Sequence, residues 1–209
     1  MHVDVWMADL DALPSRREIL SRDEIERAER FRFEHHRERF IRCRTWLREL
    51  LAEALVRDAA SLEFRYGAHG KPELDGMHFN VSHSANVAAI ALTREQPIGI
   101  DVESIDAERD VVALANTAFS AEEQAELATM TGDAQVAAFF RGWTRKEAYL
   151  KLLGTGFSRA PESFTISLGK EPLCFIDDYA LRDLPTHSGF ACALATPRDW
   201  PAPRVRRRV

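Results

Sequence analysis

The sequence predicts an α+β protein of two similar halves that meet near residue 104. Two patterns lead there: helical periodicity, then short alternating strands, in the same order twice along the chain. Size agrees, because 209 residues can bury the core of one domain or of two small lobes.

Residues 1–8 read as a short strand. From Ser21 to about Arg57 the pattern is helical, with Ser21 and Asp23 as N-cap candidates and Phe33, Phe40, Trp46, Leu47, Leu50, Leu51 and Leu55 as apolar positions. Gly67–Gly76 is a turn region punctuated by Gly70-Lys71-Pro72 and Asp75-Gly76. Strands follow at about 78–82, 86–93 and 97–103. Helical pattern resumes at Val111, and Ser120 with Glu123 has capping-box spacing. A further helix runs from about Ala134 to Leu153 and stops at Gly154 and Gly156. Strands are then expected at 162–168, 172–179 and 189–195, followed by a frayed basic tail over 201–209. The halves divide as 1–103 and 104–200.

Composition removes several classes. With 45% hydrophobic and 29% charged residues the chain is neither collagen-like, mucin-like nor disordered. No purely apolar run is longer than Val87–Leu92, far too short to span a membrane. Asp4 and Asp9 stand where a signal peptide needs positive charge and then an apolar stretch, so a cytoplasmic protein is expected. Cys43, Cys174 and Cys192 are odd in number and lack CxxC spacing, which supports neither a disulfide scaffold nor a zinc ribbon. His69, His78 and His83 lack thiolate partners, so zinc is not expected there either.

The formal charge is −5, and the 28 basic residues divide into 24 arginines and four lysines. A codon bias toward arginine is the plainest reading of that imbalance. The surviving lysines (Lys71, Lys146, Lys151 and Lys170) are also places where a compact ammonium can do what a planar guanidinium cannot. Eight arginines lie between Arg27 and Arg48, interleaved with acids as on an exposed, salt-bridged helix face; a basic surface for a phosphorylated ligand is the sharper alternative.

Three constellations carry chemistry. In the strand Ile98-Gly99-Ile100-Asp101-Val102-Glu103 the two carboxylates share a face with a glycine. Unneutralised, they raise one another's pKa; a hard divalent cation removes that cost, whereas two solvated acids at a strand end need none. On the helix Val136–Leu153, Glu147 falls on the wheel among Val136, Phe139, Phe140, Trp143 and Leu150, with Lys151 at i+4. An intrahelical ion pair explains that spacing but not an acid on an apolar stripe, which favours a functional role. His78-Phe79-Asn80-Val81-Ser82-His83-Ser84 concentrates hydroxyls and an imidazole suited to phosphate oxygens. No GxSxG elbow accompanies it, so a serine hydrolase is a poor fit.

In order along the chain, Gly70-Lys71-Pro72, Phe79-Asn80-Val81-Ser82-His83-Ser84, Ile98–Glu103, Phe119-Ser120 with Glu123, and Trp143-Thr144-Arg145-Lys146-Glu147-Ala148 with Lys151 resemble the 4′-phosphopantetheinyl transferases. The length is similar to the larger, monomeric, surfactin-synthetase-activating (Sfp-like) type. The resemblance spans roughly residues 25–168. It implies an α+β fold of two pseudo-symmetric halves, each a small antiparallel sheet packed with helices, with the active site between them.

The activity implied is transfer of the 4′-phosphopantetheine arm of coenzyme A to a serine of an apo acyl, peptidyl or aryl carrier protein, releasing adenosine 3′,5′-bisphosphate. Asp101, Glu103 and Glu147 would hold Mg²⁺, or Mn²⁺ in its place. Glu147 would take the serine proton, directly or through a metal-bound water. Lys151 would offset charge on the transferring phosphate, and His83 joins Glu147 and Lys151 among the catalytic candidates. Lys71, Pro72, Ser82, His83 and Lys151 match positions that contact coenzyme A. Arg39 and Arg44 are the candidates for its 3′-phosphate, although His35-His36 stands where relatives often carry a basic-acidic pair. The implied partners are coenzyme A and the carrier, with neither nucleic acid nor membrane, and the chain is expected to be a monomer. Carrier docking is placed near Ala113–Met130, with Leu114, Phe119 and Leu127 as contacts.

Two rival readings remain at this stage. A Mg²⁺-dependent nuclease or phosphodiesterase also uses Asp, Glu and Lys around a metal, but leaves Gly-Lys-Pro and Ser-His-Ser unexplained. A non-catalytic coenzyme A or carrier-binding protein would be expected to have lost one of the three carboxylates.

Overall fold

The structure is a computed structural model that describes residues 1–67 and 70–208; His69 and Val209 therefore lie outside the described residues. The elements run β1 (Asp4–Asp9), α1 (Arg22–Glu29), α2 (Glu34–Leu55), β2 (Arg65–Tyr66), β3 (Pro72–Glu73), β4 (His78–Ser84), β5 (Val87–Thr93), β6 (Gly99–Ser104), α3 (Val111–Ala118), α4 (Ala121–Ala128), α5 (Gly132–Leu153), β7 (Leu173–Ile176), β8 (Tyr179–Asp183), β9 (Phe190–Pro197) and β10 (Arg204–Arg208). No helix among the described residues is long and apolar enough to cross a membrane.

Two four-stranded sheets form, ordered β10-β1-β5-β4 and β6-β9-β8-β7, which gives the expected α+β architecture in two halves. Alternation decides what each sheet buries. Val5 and Met7 of β1, with Val87, Ala89 and Ala91 of β5, pack against Ile98, Ile100, Val102 and Leu194 in a core shared by the two sheets. The opposite face of the first sheet, including Ile90 and Leu92, packs on Trp46, Leu47, Leu50 and Leu51 of α2. Each fully buried leucine there contributes roughly 2 kcal/mol of apolar transfer.

The predicted division at residue 103 needs correction. Residues 99–104 pair with β9 of the second sheet, Asp101 opposite Ala193, so this carboxylate strand belongs to the second half. The basic tail needs one too: Arg204–Arg208 is a strand parallel to β1, and among the described residues only this edge pairing departs from the antiparallel pattern. Two of its four arginines are paired in place, Arg206 with Asp4 and Arg208 with Glu49.

The expected strand at 162–168 is absent. Phe164, Ile166 and Leu168 alternate and are buried as a strand's residues would be. Their backbone groups, however, bond to side chains: Lys146 donates to Phe164 O, Glu123 accepts from Ile166 N–H, and Arg145 and Arg141 donate to Ser167 O and Leu168 O. With those groups satisfied, no neighbouring strand is needed. The expected strand at 172–179 is in fact two, β7 and β8, joined by a tight turn with Asp177 at φ 50°.

The second half turns on α5, which lies across β6 and β9. The approach is so close that a Cβ on Gly99 would sit 1.9 Å from Ala148 O. α4 starts at the predicted capping box, where Ser120 Oγ accepts from Glu123 N–H and Glu123 Oε2 accepts from Ser120 N–H at 2.8 Å. α5 ends at Gly154 in the left-handed conformation, φ 68°.

Candidate active site between the two sheets

β4 and β6 run side by side where the sheets meet, and side chains join them. Asn80 Oδ1, Ser82 Oγ and Ser84 Oγ accept from the backbone N–H groups of Ile100, Val102 and Ser104 at 2.8, 3.3 and 3.1 Å. The period-two face of β4 thus matches the period-two backbone of β6. Both hydroxyls also donate, Ser82 to Asp101 Oδ1 and Ser84 to Glu103 Oε2, each at 2.8 Å.

α5 supplies the other wall. Trp143, Glu147 and Lys151 are four residues apart and so share one helical face. Trp143 Nε1 donates to Glu103 Oε1 at 3.4 Å, and Lys151 Nζ donates to Asp101 Oδ1 at 2.6 Å and to Ser82 Oγ at 3.0 Å. Here the wheel argument needs revision. Thr144, Arg145, Lys146, Ala148, Tyr149 and Leu150 are buried, whereas Trp143, Glu147 and Lys151 form the half-buried side of the helix. Glu147 looks into a cleft and not into the middle of an apolar stripe.

That cleft, about 230 Å³, is bounded by Lys71, Pro72, Phe79 and Asn80 from the first half and by Glu147 and Lys151 from the second. Lys71 Nζ donates to Lys151 O at 2.6 Å and to Ile98 O at 3.4 Å, so it also ties the halves together. Burial and the charge of Lys151 lower its pKa, against the pull of Glu73.

The carboxylates are electrostatically strained. Burial pushes Asp101 up to about 6 despite the charge and hydrogen bond of Lys151, and Glu103 adds to the rise. Burial also raises Glu147, with repulsion from Glu103 opposing attraction to Lys151. Asp101 Oδ2 and Glu147 Oε1 are both buried without a hydrogen-bond partner. Among the described residues no three Asp, Glu, His or Cys side chains are already drawn into a metal-binding set. The donor chemistry nevertheless fits a hard divalent cation, since Asp101 and Glu147 each keep a buried carboxylate oxygen unbonded and both feel the charge of Glu103.

The remaining predicted residues divide. Ser82 is in the site, held between Asp101, Lys151 and β6. His83 is exposed and does not line the cleft. The surrounding protein and the positive charges of Lys151, Arg27 and His36 depress its pKa, partly offset by Glu103. Arg39 and Arg44 are outside the cleft: Arg39 is bonded to Asp11 at 2.6 and 2.9 Å, and Arg44 Nε to the buried Glu24 at 2.6 Å, with Arg48 on the other oxygen at 2.7 Å. The proposed docking contacts Phe119 and Leu127 are core residues, 0% and 1% exposed, so a partner cannot reach them.

The grip of Ser84 and Trp143 on Glu103 was missed from sequence. The equal spacing of 80, 82, 84 and 100, 102, 104 could have suggested it, had the two strands been known to be neighbours.

Two family models together match most of the chain: "4′-phosphopantetheinyl transferase, N-terminal" over residues 4–95 and "4′-phosphopantetheinyl transferase superfamily" over residues 97–195. The chain is 37% identical over 170 residues to 4′-phosphopantetheinyl transferase HetI of Nostoc sp., covering 77% of this chain and 72% of that one. It is 33% identical over 172 residues to 4′-phosphopantetheinyl transferase psf-1 of Bacillus pumilus, covering 81% and 70%. With 4′-phosphopantetheinyl transferase Sfp of Bacillus subtilis it shares 32% identity over 167 residues, 73% of each chain.

Proposed function

Because the chain belongs to the 4′-phosphopantetheinyl transferase superfamily, enzymes that transfer phosphopantetheine from coenzyme A to carrier proteins, we propose that its transfer chemistry runs where Glu147 and Lys151 of the cleft meet the Asp101 and Glu103 carboxylates of β6. The observation that carries this placement is the pair of orphaned buried oxygens, Asp101 Oδ2 and Glu147 Oε1, beside the Lys151 ammonium.

A carrier serine oxygen must attack the β-phosphorus of an anionic pyrophosphate, so the protein's work is positioning and charge neutralisation. Lys151, 29% exposed and anchored to Asp101, presents its ammonium to the transferring phosphate. Glu147 receives the serine proton as the new O–P bond forms. Burial has moved its pKa toward neutrality, which suits a general base. Breaking the old P–O bond frees adenosine 3′,5′-bisphosphate. Asp101, Glu103 and Glu147 would hold Mg²⁺ or Mn²⁺, which supplies Lewis-acid neutralisation of the pyrophosphate when bound.

Lys71 and Pro72 receive coenzyme A at the mouth of the cleft. For Lys71 to meet a phosphate, its ammonium must leave the carbonyls of Lys151 and Ile98, so binding and the contact between halves are linked. Each half of one chain supplies one wall, which is why we read the working unit as a monomer.

The test is intact-mass spectrometry of apo acyl and peptidyl carrier proteins incubated with the protein, coenzyme A and Mg²⁺. A gain of one phosphopantetheine arm, abolished by chelation, is expected. Transfer that persists without divalent metal would overturn the metal assignment, and no gain on any carrier would overturn the assigned reaction.

A further inference from the structure

The junction of the two sheets does more than hold them together. Each acid of β6 is gripped from both sides, once by β4 and once by α5. Asp101 takes Ser82 from β4 and Lys151 from α5, and Glu103 takes Ser84 from β4 and Trp143 from α5. The spacings make this possible. Residues 82 and 84 repeat at the strand period, as do 101 and 103, while 143 and 151 lie on one helical face.

Within this arrangement the Ser84 hydroxyl has no orientational freedom. It carries one proton, and its oxygen already accepts from Ser104 N–H at 3.1 Å, which leaves that proton for Glu103 Oε2 at 2.8 Å. The backbone of β6 therefore sets the hydroxyl, and the hydroxyl sets the carboxylate. Trp143 Nε1, a donor with no acceptor capacity, fixes the other oxygen. Both bonds of the Ser84 hydroxyl stay within the protein, one to Ser104 N–H and one to Glu103.

We propose that Ser84 is a positioning residue that, with Trp143, locks the Glu103 carboxylate in its working orientation through a relay from Ser104 N–H to Ser84 to Glu103. The proposal rests on the placement of the reaction given above. Glu103 differs from Asp101 and Glu147 in having both oxygens bonded. It is thus the preset member of the three, and the other two keep the free oxygens. Loss of the relay loosens the preset member, and partners at this remove are worth about ten- to a hundredfold in metal affinity or activity.

The experiment compares wild type, Ser84→Ala and Ser84→Thr. Binding of Mn²⁺ alone is followed by calorimetric titration, and carrier modification by steady-state kinetics. Ser84→Ala is expected to weaken Mn²⁺ binding and lower kcat, each by at least about tenfold, with KM for coenzyme A within about twofold. Ser84→Thr keeps a hydroxyl and restores both. A melting temperature for Ser84→Ala within a few degrees of wild type keeps these effects separate from folding. If Ser84→Ala binds Mn²⁺ and turns over like wild type, or if Ser84→Thr fails to rescue, the proposal is overturned. Wild type that neither binds Mn²⁺ nor modifies a carrier would instead defeat the underlying placement of the reaction.

Discussion

Gly99 and Ala148 touch through their backbones: the position a Cβ on Gly99 would occupy lies 1.9 Å from Ala148 O and 2.4 Å from Leu152 N. This is the contact that lets α5 lie flat on β6. It brings Glu147, Lys151 and Asp101 within reach of one another. The glycine is required for space and not for an unusual backbone angle.

Gly99→Ala must therefore push α5 away from β6, since backbone atoms cannot rotate aside. Overpacking of this kind costs about 1–3 kcal/mol or more. A lower denaturant midpoint is expected, together with a loss of carrier modification larger than the loss of folded protein at the assay temperature. Unchanged activity and stability would show that the helix can retreat without consequence.

Lys146 is one of the four lysines, and its enclosure explains why an ammonium suits it. It is 0% exposed, pairs with Glu123 at 2.7 Å, and donates to Pro161 O and Phe164 O at 2.7 and 2.6 Å. Lys146→Met leaves Glu123 buried without its charge partner and should cost about 3–5 kcal/mol. Lys146→Arg should not restore stability, because a branched guanidinium cannot fit the same three acceptors. Equilibrium urea unfolding of both variants checks this.

Glu24 holds Arg44 and Arg48 in a buried cluster joining α1 to α2, with Arg48 0% exposed. Glu24→Ala should lower stability by about 3–5 kcal/mol, measured by urea unfolding, since it strands two buried cations. The kinetic counterpart is a KM for coenzyme A in Arg44→Met within about twofold of wild type under conditions where the variant is folded. A KM raised tenfold would return Arg44 to the 3′-phosphate role expected from sequence.

Lys71→Met removes a charge from the cleft and two carbonyl contacts across the halves. Hydrogen bonds to charged groups contribute roughly 1.5–3 kcal/mol, so KM for coenzyme A should rise by about ten- to a hundredfold. Steady-state kinetics at saturating carrier measures it. An unchanged KM would confine Lys71 to joining the halves.

Much of this was legible in the sequence. Alternation found β4, β5 and β6, and capping residues found α4 and the end of α5. Of the motif residues read as one site, Asp101 and Lys151 are bonded, and Glu147 lines the same cleft as Lys151. What failed had a common physical origin, because in each case a distant side chain did work that a local pattern would assign to the backbone. Phe164–Leu168 alternates like a strand, but Glu123, Arg141, Arg145 and Lys146 satisfy its backbone. The salt-bridged reading of the α2 arginines holds for Arg39 and Arg44, the two candidates for the 3′-phosphate, which Asp11 and Glu24 from earlier in the chain take instead. The serine relay joins strands whose proximity a single sequence does not state.

The central claim is that the acid of α5 facing the cleft carries out the proton transfer. The most direct measurement is single-turnover modification of an apo carrier by Glu147→Gln in the presence of coenzyme A and Mg²⁺. The account predicts a folded protein that still binds coenzyme A and whose transfer rate is lower by at least about a hundredfold. A rate near that of wild type would contradict it.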